Sequence, residues 1–290
     1  MIGRIHMTNG TYRCWLMSLL GILLLPAISN AATIELKLAN GLITTAKYQK
    51  NDLKNTAIII LHGFLVTRNF RTIANLSTAL FDEGYTVLAP NLTLGINRRK
   101  VSLACEAIHT HNLSDDINEI HHWIHWLIDK GHKEVVIIGH SFGSLHSLAY
   151  LSHYAHPAVK KMITTSLIDL EHAISKKTSA SQIKTAQAQL AQNNHQLQEY
   201  QVSYCKKYVT SPSAFLSYAL WSKEHIIKVL STIQVPTTII VGSADQRMDT
   251  HWIDTLNKSG KQLIRIDGAN HFFDADHEFD LLDSVLGSLE

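Results

Sequence analysis

The sequence predicts an α/β fold with a mostly parallel central sheet, helices on both faces, an N-terminal antiparallel hairpin and a helical cap insertion. Short apolar runs rich in Val and Ile alternate with stretches of helical periodicity, which is typical of buried parallel strands joined by crossover helices. The 290 residues, of which 46% are hydrophobic and 17% charged, supply enough apolar side chains for one large core. Apolar side chains repeat at helical spacing in one stretch, at Leu113, Ile117, Ile120, Ile124 and Leu127.

The first 31 residues are typical of a secretory signal peptide. Arg4 and Arg13 flank or precede an apolar stretch over residues 14–25, and small residues ending at Ala31 occupy the positions that a signal peptidase recognises. The stretch is shorter than the roughly 20 residues needed to cross a bilayer. We therefore predict a cleaved signal over residues 1–31 and a periplasmic or secreted protein without stable membrane insertion after cleavage. An uncleaved N-terminal anchor is the alternative.

Cleavage would leave two cysteines, Cys105 and Cys205. An oxidising compartment would allow one disulfide between them. Two buried free thiols are equally compatible with the sequence, so both arrangements stay open.

Residues 32–290 are predicted to form one domain that begins with a hairpin. Residues 33–38 alternate in polarity, Asn40-Gly41 supplies a turn, and a second strand follows over 42–48. Buried parallel strands are then expected at residues 57–61, 86–89, 134–138, 161–165, 237–241 and 262–266.

The segment at about residues 171–228 interrupts this alternation. It shows no convincing buried strand, and residues 181–190 form a Gln- and Ala-rich stretch of helical composition. We expect a helical insertion between two strands of the sheet, either as a cap over an active site or as additional surface helices.

A candidate nucleophile follows the strand at residues 134–138, in the sequence Gly139-His140-Ser141-Phe142-Gly143. A serine on a sharp turn between a strand and a helix has a strained backbone, so small residues are needed two positions before and after it. The helix that follows directs backbone N–H groups and its positive dipole end toward a developing oxyanion.

This Gly-x-Ser-x-Gly sequence, an early His-Gly after a strand, and the order serine, acid, histidine make the chain resemble the α/β-hydrolase superfamily. The resemblance covers about residues 33–290 and implies a catalytic Ser-His-Asp triad that needs no cofactor. His271 stands where the superfamily carries its base, in the turn after the last buried strand. Family order places the acid at Asp245, after the strand at 237–241. Other candidates for the acid are Asp249, Asp267 and Asp169.

Two backbone N–H groups are expected to form the oxyanion hole. The resemblance implies the N–H of Phe142, directly after the nucleophile, and the N–H of Phe64, after the first buried parallel strand. Gly63 permits the tight bend there, and His62 is expected to brace this loop through a hydrogen bond rather than to take part in the chemistry.

Other classes of function are less well supported. A formal charge of +2 gives no concentrated basic face for a nucleic acid. His121 and His125 lie four residues apart and could contact one metal ion, but no third ligand is implied, so we predict no metal site. The spacing of three neighbouring histidines, His109, His111 and His122, matches no recognisable pattern of metal ligands.

The predicted function is therefore that of a serine hydrolase that cleaves a carboxylic ester through an acyl-enzyme. A neutral acyl ester of modest size is the expected small-molecule substrate, and the oligomeric state is left open. A peptidase or amidase and an acyltransferase would use the same triad. A catalytically inactive binding module on the same fold is the non-enzymatic alternative.

Overall fold

The computed structural model describes residues 1–3, 31–51, 53–154, 156–169 and 172–290. The predicted signal segment lies outside the described residues, apart from its first three residues and Ala31. No helix within these ranges has both the length and the apolar character to cross a membrane.

An eight-stranded sheet in the order β1-β2-β4-β3-β6-β7-β10-β11 forms the centre of the described structure. β2 runs antiparallel to its neighbours β1 and β4, and the remaining pairs are parallel. The predicted hairpin and all six predicted parallel strands are therefore present. The strands of this sheet are β1 (Ala31–Lys37), β2 (Ile43–Gln49), β3 (Thr56–Leu61), β4 (Thr86–Asn91), β6 (Glu134–His140), β7 (Val159–Thr165), β10 (Thr237–Gly242) and β11 (Gln262–Ile266).

Helices cover both faces of the sheet, as expected for a buried parallel sheet. Ile58 and Ile60 of β3 point into a core shared with α1 and α8. Ile59 and Leu61 point into the opposite core, which contains the apolar stripes of α2 and α3. The helices are α1 (Arg71–Asp82), α2 (Leu113–Asp129), α3 (Phe142–His153), α4 (Lys176–Ala191), α5 (Pro212–Ala219), α6 (Lys223–Thr232), α7 (Thr250–Asn257) and α8 (His277–Leu289).

The segment between β7 and β10 is not purely helical, in contrast to the expectation. It contains α4, α5 and α6, but also a hairpin of β8 (Gln198–Val202) and β9 (Cys205–Thr210), on which the short β5 (Ile108–His109) pairs. These strands bury one face only, through Tyr200, Val202 and Tyr208, so they lack the continuous apolar run of a core strand. Their two-residue turn has no glycine, and Ser203 adopts a φ of 53° instead.

A disulfide joins Cys105 to Cys205 across a sequence separation of 100 residues. It connects the loop after β4 to the first residue of β9 and thereby fixes the base of the β8–β9 turn against the main domain. Of the two arrangements that the sequence left open, the structure contains the disulfide.

Candidate active site

Ser141 lies between β6 and α3, at the sharp turn that the sequence predicted. Its backbone adopts φ 55° and ψ −119°, a strained conformation for a residue with a side chain. The Ser141 N–H donates to the carbonyl oxygen of Thr165 at 2.8 Å, which ties the turn to the end of β7. Ser144 reinforces the turn, since its hydroxyl donates to the Gly139 carbonyl at 2.7 Å.

Gly139 and Gly143 flank the serine because no larger residue fits. A Cβ on Gly139 would lie 2.3 Å from the carbonyl oxygen of Gly143. A Cβ on Gly143 would lie 2.3 Å from the carbonyl oxygen of Leu61. Both contacts are with backbone, so the strand, the turn and the helix can approach this closely only with glycine at both positions.

Ser141, His271 and Asp245 form one chain of hydrogen bonds. His271 Nε2 lies 2.8 Å from Ser141 Oγ, and His271 Nδ1 lies 2.7 Å from Asp245 Oδ2. None of the three residues is more than 5% exposed. The loops after β10 and β11 bring the aspartate and the histidine to the carboxyl edge of the sheet, where Ser141 also lies. The arrangement is able to transfer the serine proton to the imidazole.

The other aspartates considered from the sequence have different partners. Asp249 caps α7 by accepting from the Trp252 N–H and also pairs with Lys223. Asp267 accepts a hydrogen bond from the Ser243 hydroxyl at 2.8 Å. Asp169 is buried, with Oδ2 3.8 Å from Lys223 Nζ. Of the four candidates, Asp245 is therefore the one joined to His271.

The two residues expected to form the oxyanion hole belong to different loops: Phe142 directly follows Ser141, and Phe64 lies in the loop after β3. Phe142 is the first residue of α3, so its N–H has no acceptor within the helix. The Phe64 N–H donates to no acceptor among the described residues. This loop lies close to Ser141, because a Cβ added at Gly63 would lie 3.4 Å from the Cβ of Ser141, in ordinary van der Waals contact.

His62 braces the loop, as the sequence predicted. Its Nδ1 donates to the Gly63 carbonyl at 2.9 Å, and its Nε2 accepts from the Leu92 N–H at 3.1 Å and from Arg99 at 2.9 Å. Burial, together with the positive charge of Arg99, lowers the pKa of His62 from 6.5 to about 3. The imidazole is therefore neutral in the folded protein near neutral pH.

The His62→Asn substitution is expected to cost stability at pH 7.5 and to cost less at pH 4.5. As the pH falls below 6.5, the unfolded wild-type chain binds a proton at His62 that the folded chain binds only near pH 3. The free energy of unfolding of wild type therefore falls by about 1.4 kcal/mol per pH unit through this site, or by ~2–3 kcal/mol at pH 4.5. The variant lacks this loss because it has no histidine there. Urea unfolding followed by tryptophan fluorescence at both pH values measures this. A difference that stays constant or widens toward pH 4.5 would contradict the assignment.

A pocket of about 160 Å³ opens in front of the Ser141 hydroxyl, and we call it the Ser141 pocket. Sequence reasoning placed Phe64 near the site but missed Tyr204 in the β8–β9 turn and Arg247 in the loop that carries Asp245. The position of Arg247, two residues after the predicted acid, was the available signal. The pocket is lined by Gly63, Phe64, Val66, Phe70, His140, Ser141, Ile168, Ser203, Tyr204, Arg247 and Phe272.

A buried polar network lies behind Phe142. Asp116 of α2 accepts from His146 Nε2 at 2.9 Å and from the Tyr218 hydroxyl at 2.6 Å, and it lies 3.2 Å from His111 Nδ1. Burial alone would raise the pKa of Asp116, but the charges and hydrogen bonds of the two histidines outweigh it and lower that pKa below its ordinary value. The His146 ring lies 4.6 Å from that of Phe142, so the network supports the first turn of α3.

The histidines considered as metal ligands pack on aromatic rings instead. The ring of His121 stacks on Tyr154 at 4.1 Å and lies 4.3 Å from that of His125. His109 stacks on Tyr208 at 3.9 Å. Within the described residues, no group of three or more His, Cys, Asp or Glu side chains is arranged to hold a metal ion.

Comparison with solved structures identifies many proteins of the same architecture. The alpha/beta hydrolase GrgF from Penicillium sp. sh18 has a TM-score of 0.65 at 15% identity, with 88% of this chain and 95% of GrgF covered. Est1E from Butyrivibrio proteoclasticus has a TM-score of 0.62 at 15% identity, covering 89% and 98% of the two chains. An esterase from Pyrococcus furiosus has a TM-score of 0.63 at 16% identity, covering 90% and 91%. Identities this low show a shared fold.

No curated protein sequence matches the chain significantly. The sequence model of the alpha/beta hydrolase fold, however, matches residues 56–214, which is more than half of the chain. That range includes the strands around Ser141 and both sides of the turn that carries it. The chain therefore belongs to the alpha/beta hydrolase fold family.

Proposed function

We propose that the protein is a serine hydrolase that cleaves a carboxylic ester of a small molecule through an acyl-enzyme. The observation that carries this proposal is the continuous hydrogen-bond chain from Ser141 Oγ through His271 to Asp245, at 2.8 and 2.7 Å. Serine hydroxyls become effective nucleophiles when a base is held within this distance and is itself oriented by a third group. The Ser141 pocket supplies room for an acyl ester in front of the hydroxyl.

In this mechanism, Ser141 Oγ forms a bond to the acyl carbon while His271 Nε2 takes the hydroxyl proton. Asp245 holds the imidazole with its other proton on Nδ1 and stabilises the cation that forms. The N–H groups of Phe64 and Phe142 are proposed to donate to the oxyanion of the tetrahedral intermediate. His271 then protonates the departing alkoxide as its bond to the acyl carbon breaks. A water molecule, deprotonated by His271, then attacks the acyl carbon. The bond from that carbon to Ser141 Oγ breaks, His271 returns the proton to Oγ, and the carboxylic acid leaves.

Esters are favoured over amides on chemical grounds. An alcohol is a better leaving group than an amine, so ester cleavage demands less of the general acid. Structures of this fold include the esterase from Pyrococcus furiosus, a thioesterase domain from the curacin biosynthetic pathway, and Est1E with ferulic acid bound. Amide hydrolysis and acyl transfer from the same acyl-enzyme remain outcomes of the test.

Fluorophosphonate labelling tests the nucleophile, and a substrate panel tests the bond. We expect the probe to label wild-type protein at Ser141 and to leave the Ser141→Ala variant unlabelled, as measured by the mass of the labelled peptide. We also expect nitrophenyl esters from acetate to palmitate to be hydrolysed faster than aminoacyl amides. Unlabelled wild type, or a labelled Ser141→Ala variant, would exclude the mechanism. Turnover of amides alone would redirect it to a peptidase.

We further propose that the protein is exported to the periplasm or secreted after removal of residues 1–31. The Cys105–Cys205 disulfide supports this, because disulfides persist in oxidising compartments. N-terminal sequencing of the mature protein is expected to begin at Ala32. An intact N-terminus on protein recovered from the membrane would favour the anchor instead.

A further inference from the structure

One formal charge faces the Ser141 pocket. Among the described residues that line it, most are apolar or small, and Arg247 is the one that carries a full charge. His140 also lines the pocket, but burial, together with the charges of His271 and Arg247, keeps its pKa well below the ordinary value. The pocket in front of the nucleophile is therefore positively charged.

Two aromatic rings hold the guanidinium in place. Its central carbon lies 4.8 Å from the centre of the Phe272 ring and 5.6 Å from that of the Tyr204 ring. An aromatic face attracts a cation but leaves the N–H groups at the edge of the guanidinium plane without strong acceptors. The rings thus fix the position of Arg247 and leave its donors available.

Arg247 differs in this respect from Arg68, Arg71, Arg98 and Arg99. Arg71 and Arg98 pair with carboxylates, at Glu278 and Glu35. Arg68 and Arg99 donate to backbone carbonyl oxygens. Within the part of the chain that the structure describes, the Arg247 side chain makes no hydrogen bond and has no carboxylate within 4.0 Å. Only its backbone N–H makes a hydrogen bond, to Asp245 Oδ1.

We propose that Arg247 binds a carboxylate of the substrate, so that the ester cleaved at Ser141 is an anionic one. This inference rests on the proposed function and narrows its substrate class. A planar carboxylate accepts two parallel hydrogen bonds from a guanidinium, and such charge-assisted pairs are stronger than neutral hydrogen bonds. The sequence led us to expect a neutral ester, because the place of Arg247 in the loop of Asp245 does not by itself show that its side chain faces the pocket rather than solvent.

A structural role is the rival explanation. By stacking between Tyr204 and Phe272, Arg247 could hold the β8–β9 turn against the loop of His271 without contacting substrate. That role would affect charged and uncharged esters in the same proportion. The ratio of their kcat/KM values therefore separates the two explanations.

Matched pairs of esters provide this ratio. In the first pair, 4-butyryloxybenzoate and its methyl ester differ by one negative charge on the leaving group. In the second pair, monomethyl and dimethyl adipate differ by one charge on the acyl side.

We expect wild type to favour the charged member of at least one pair, and the preference to weaken as ionic strength rises. Arg247→Gln should lower that charged-to-neutral ratio about 10- to 100-fold, the effect of a hydrogen bond to a charged group. Arg247→Lys, which keeps the charge, should retain a larger part of the ratio.

Each outcome decides the inference. An unchanged ratio in Arg247→Gln would show that Arg247 acts only as a structural contact, and a wild type without preference in either pair would also overturn the proposal. Fluorophosphonate labelling of Arg247→Gln shows whether the nucleophile is intact in the variant. The proposed function has its own separate test, since hydrolysis by Ser141→Ala would contradict the nucleophile whatever the role of Arg247.

Discussion

The Asp245→Asn substitution is expected to lower kcat for ester hydrolysis by about 10⁴-fold while the fold remains intact. The expectation follows from which atom of residue 245 faces which donor. Oδ1 accepts the backbone N–H of Arg247 at 2.8 Å, and Oδ2 accepts from His271 Nδ1 at 2.7 Å. A carboxylate can serve both donors at once.

An asparagine cannot accept at both positions. Its oxygen would remain with the Arg247 N–H, which is fixed by the loop, and its NH₂ group would face His271 Nδ1. The imidazole would then carry its proton on Nε2 and could not accept the proton of Ser141. The variant thus keeps the shape of the site but holds the base in the wrong tautomer.

Nitrophenyl ester hydrolysis and the rate of fluorophosphonate labelling should both fall in Asp245→Asn. Asp249→Asn and Asp267→Asn are matched controls in neighbouring loops. Asparagine caps a helix about as well as aspartate, and an amide oxygen can still accept from Ser243, so both controls should stay within about threefold of wild type. Equal losses of ester hydrolysis in Asp245→Asn and Asp249→Asn would show that Asp245 has no special role in catalysis.

The sequence predicted the parts of the molecule that follow from local pattern. Parallel strands buried on both faces appear as continuous apolar runs, and a Gly-x-Ser-x-Gly turn between such a run and a helix has few structural alternatives. Gly139 and Gly143 show why this signal is strong, since their neighbours leave no space for a Cβ.

The parts that were missed depend on contacts between distant segments. The β8–β9 hairpin buries alternate residues only, and its turn lacks the usual Asn-Gly or Gly signal. Arg247 lies in the Ser141 pocket against the rings of Tyr204 and Phe272, which are 68 positions apart in the chain. Asp116 did leave a signal. It lies three residues after Leu113 and four before Ile120, on the apolar stripe of α2, where a carboxylate needs internal partners.

Asp116→Ala is expected to lower the free energy of unfolding by about 3–5 kcal/mol, because removing one member of a buried charged network leaves the others without compensation. The Asp116 side chain is 1% exposed and contacts two histidines and the Tyr218 hydroxyl. Without it, the His146 Nε2 and Tyr218 hydroxyl groups that now bond to Asp116 Oδ2 would be left buried without that acceptor. The loss should therefore exceed that of an ordinary buried hydrogen bond.

Urea unfolding of the variant, followed by tryptophan fluorescence, measures this loss. Asp129→Ala is the matched control, since Asp129 is an exposed aspartate at the carboxyl end of the same helix, where removal of a negative charge is neutral or slightly favourable. The stability of Asp116→Asn should fall between the two, because an amide keeps the shape and one acceptor but not the charge.

If Asp116→Ala unfolds at the same urea concentration as wild type, the histidines do not depend on this carboxylate and the network does not stabilise α3. If stability falls as expected, residual activity per folded molecule should fall as well, because His146 packs against Phe142 at the proposed oxyanion hole.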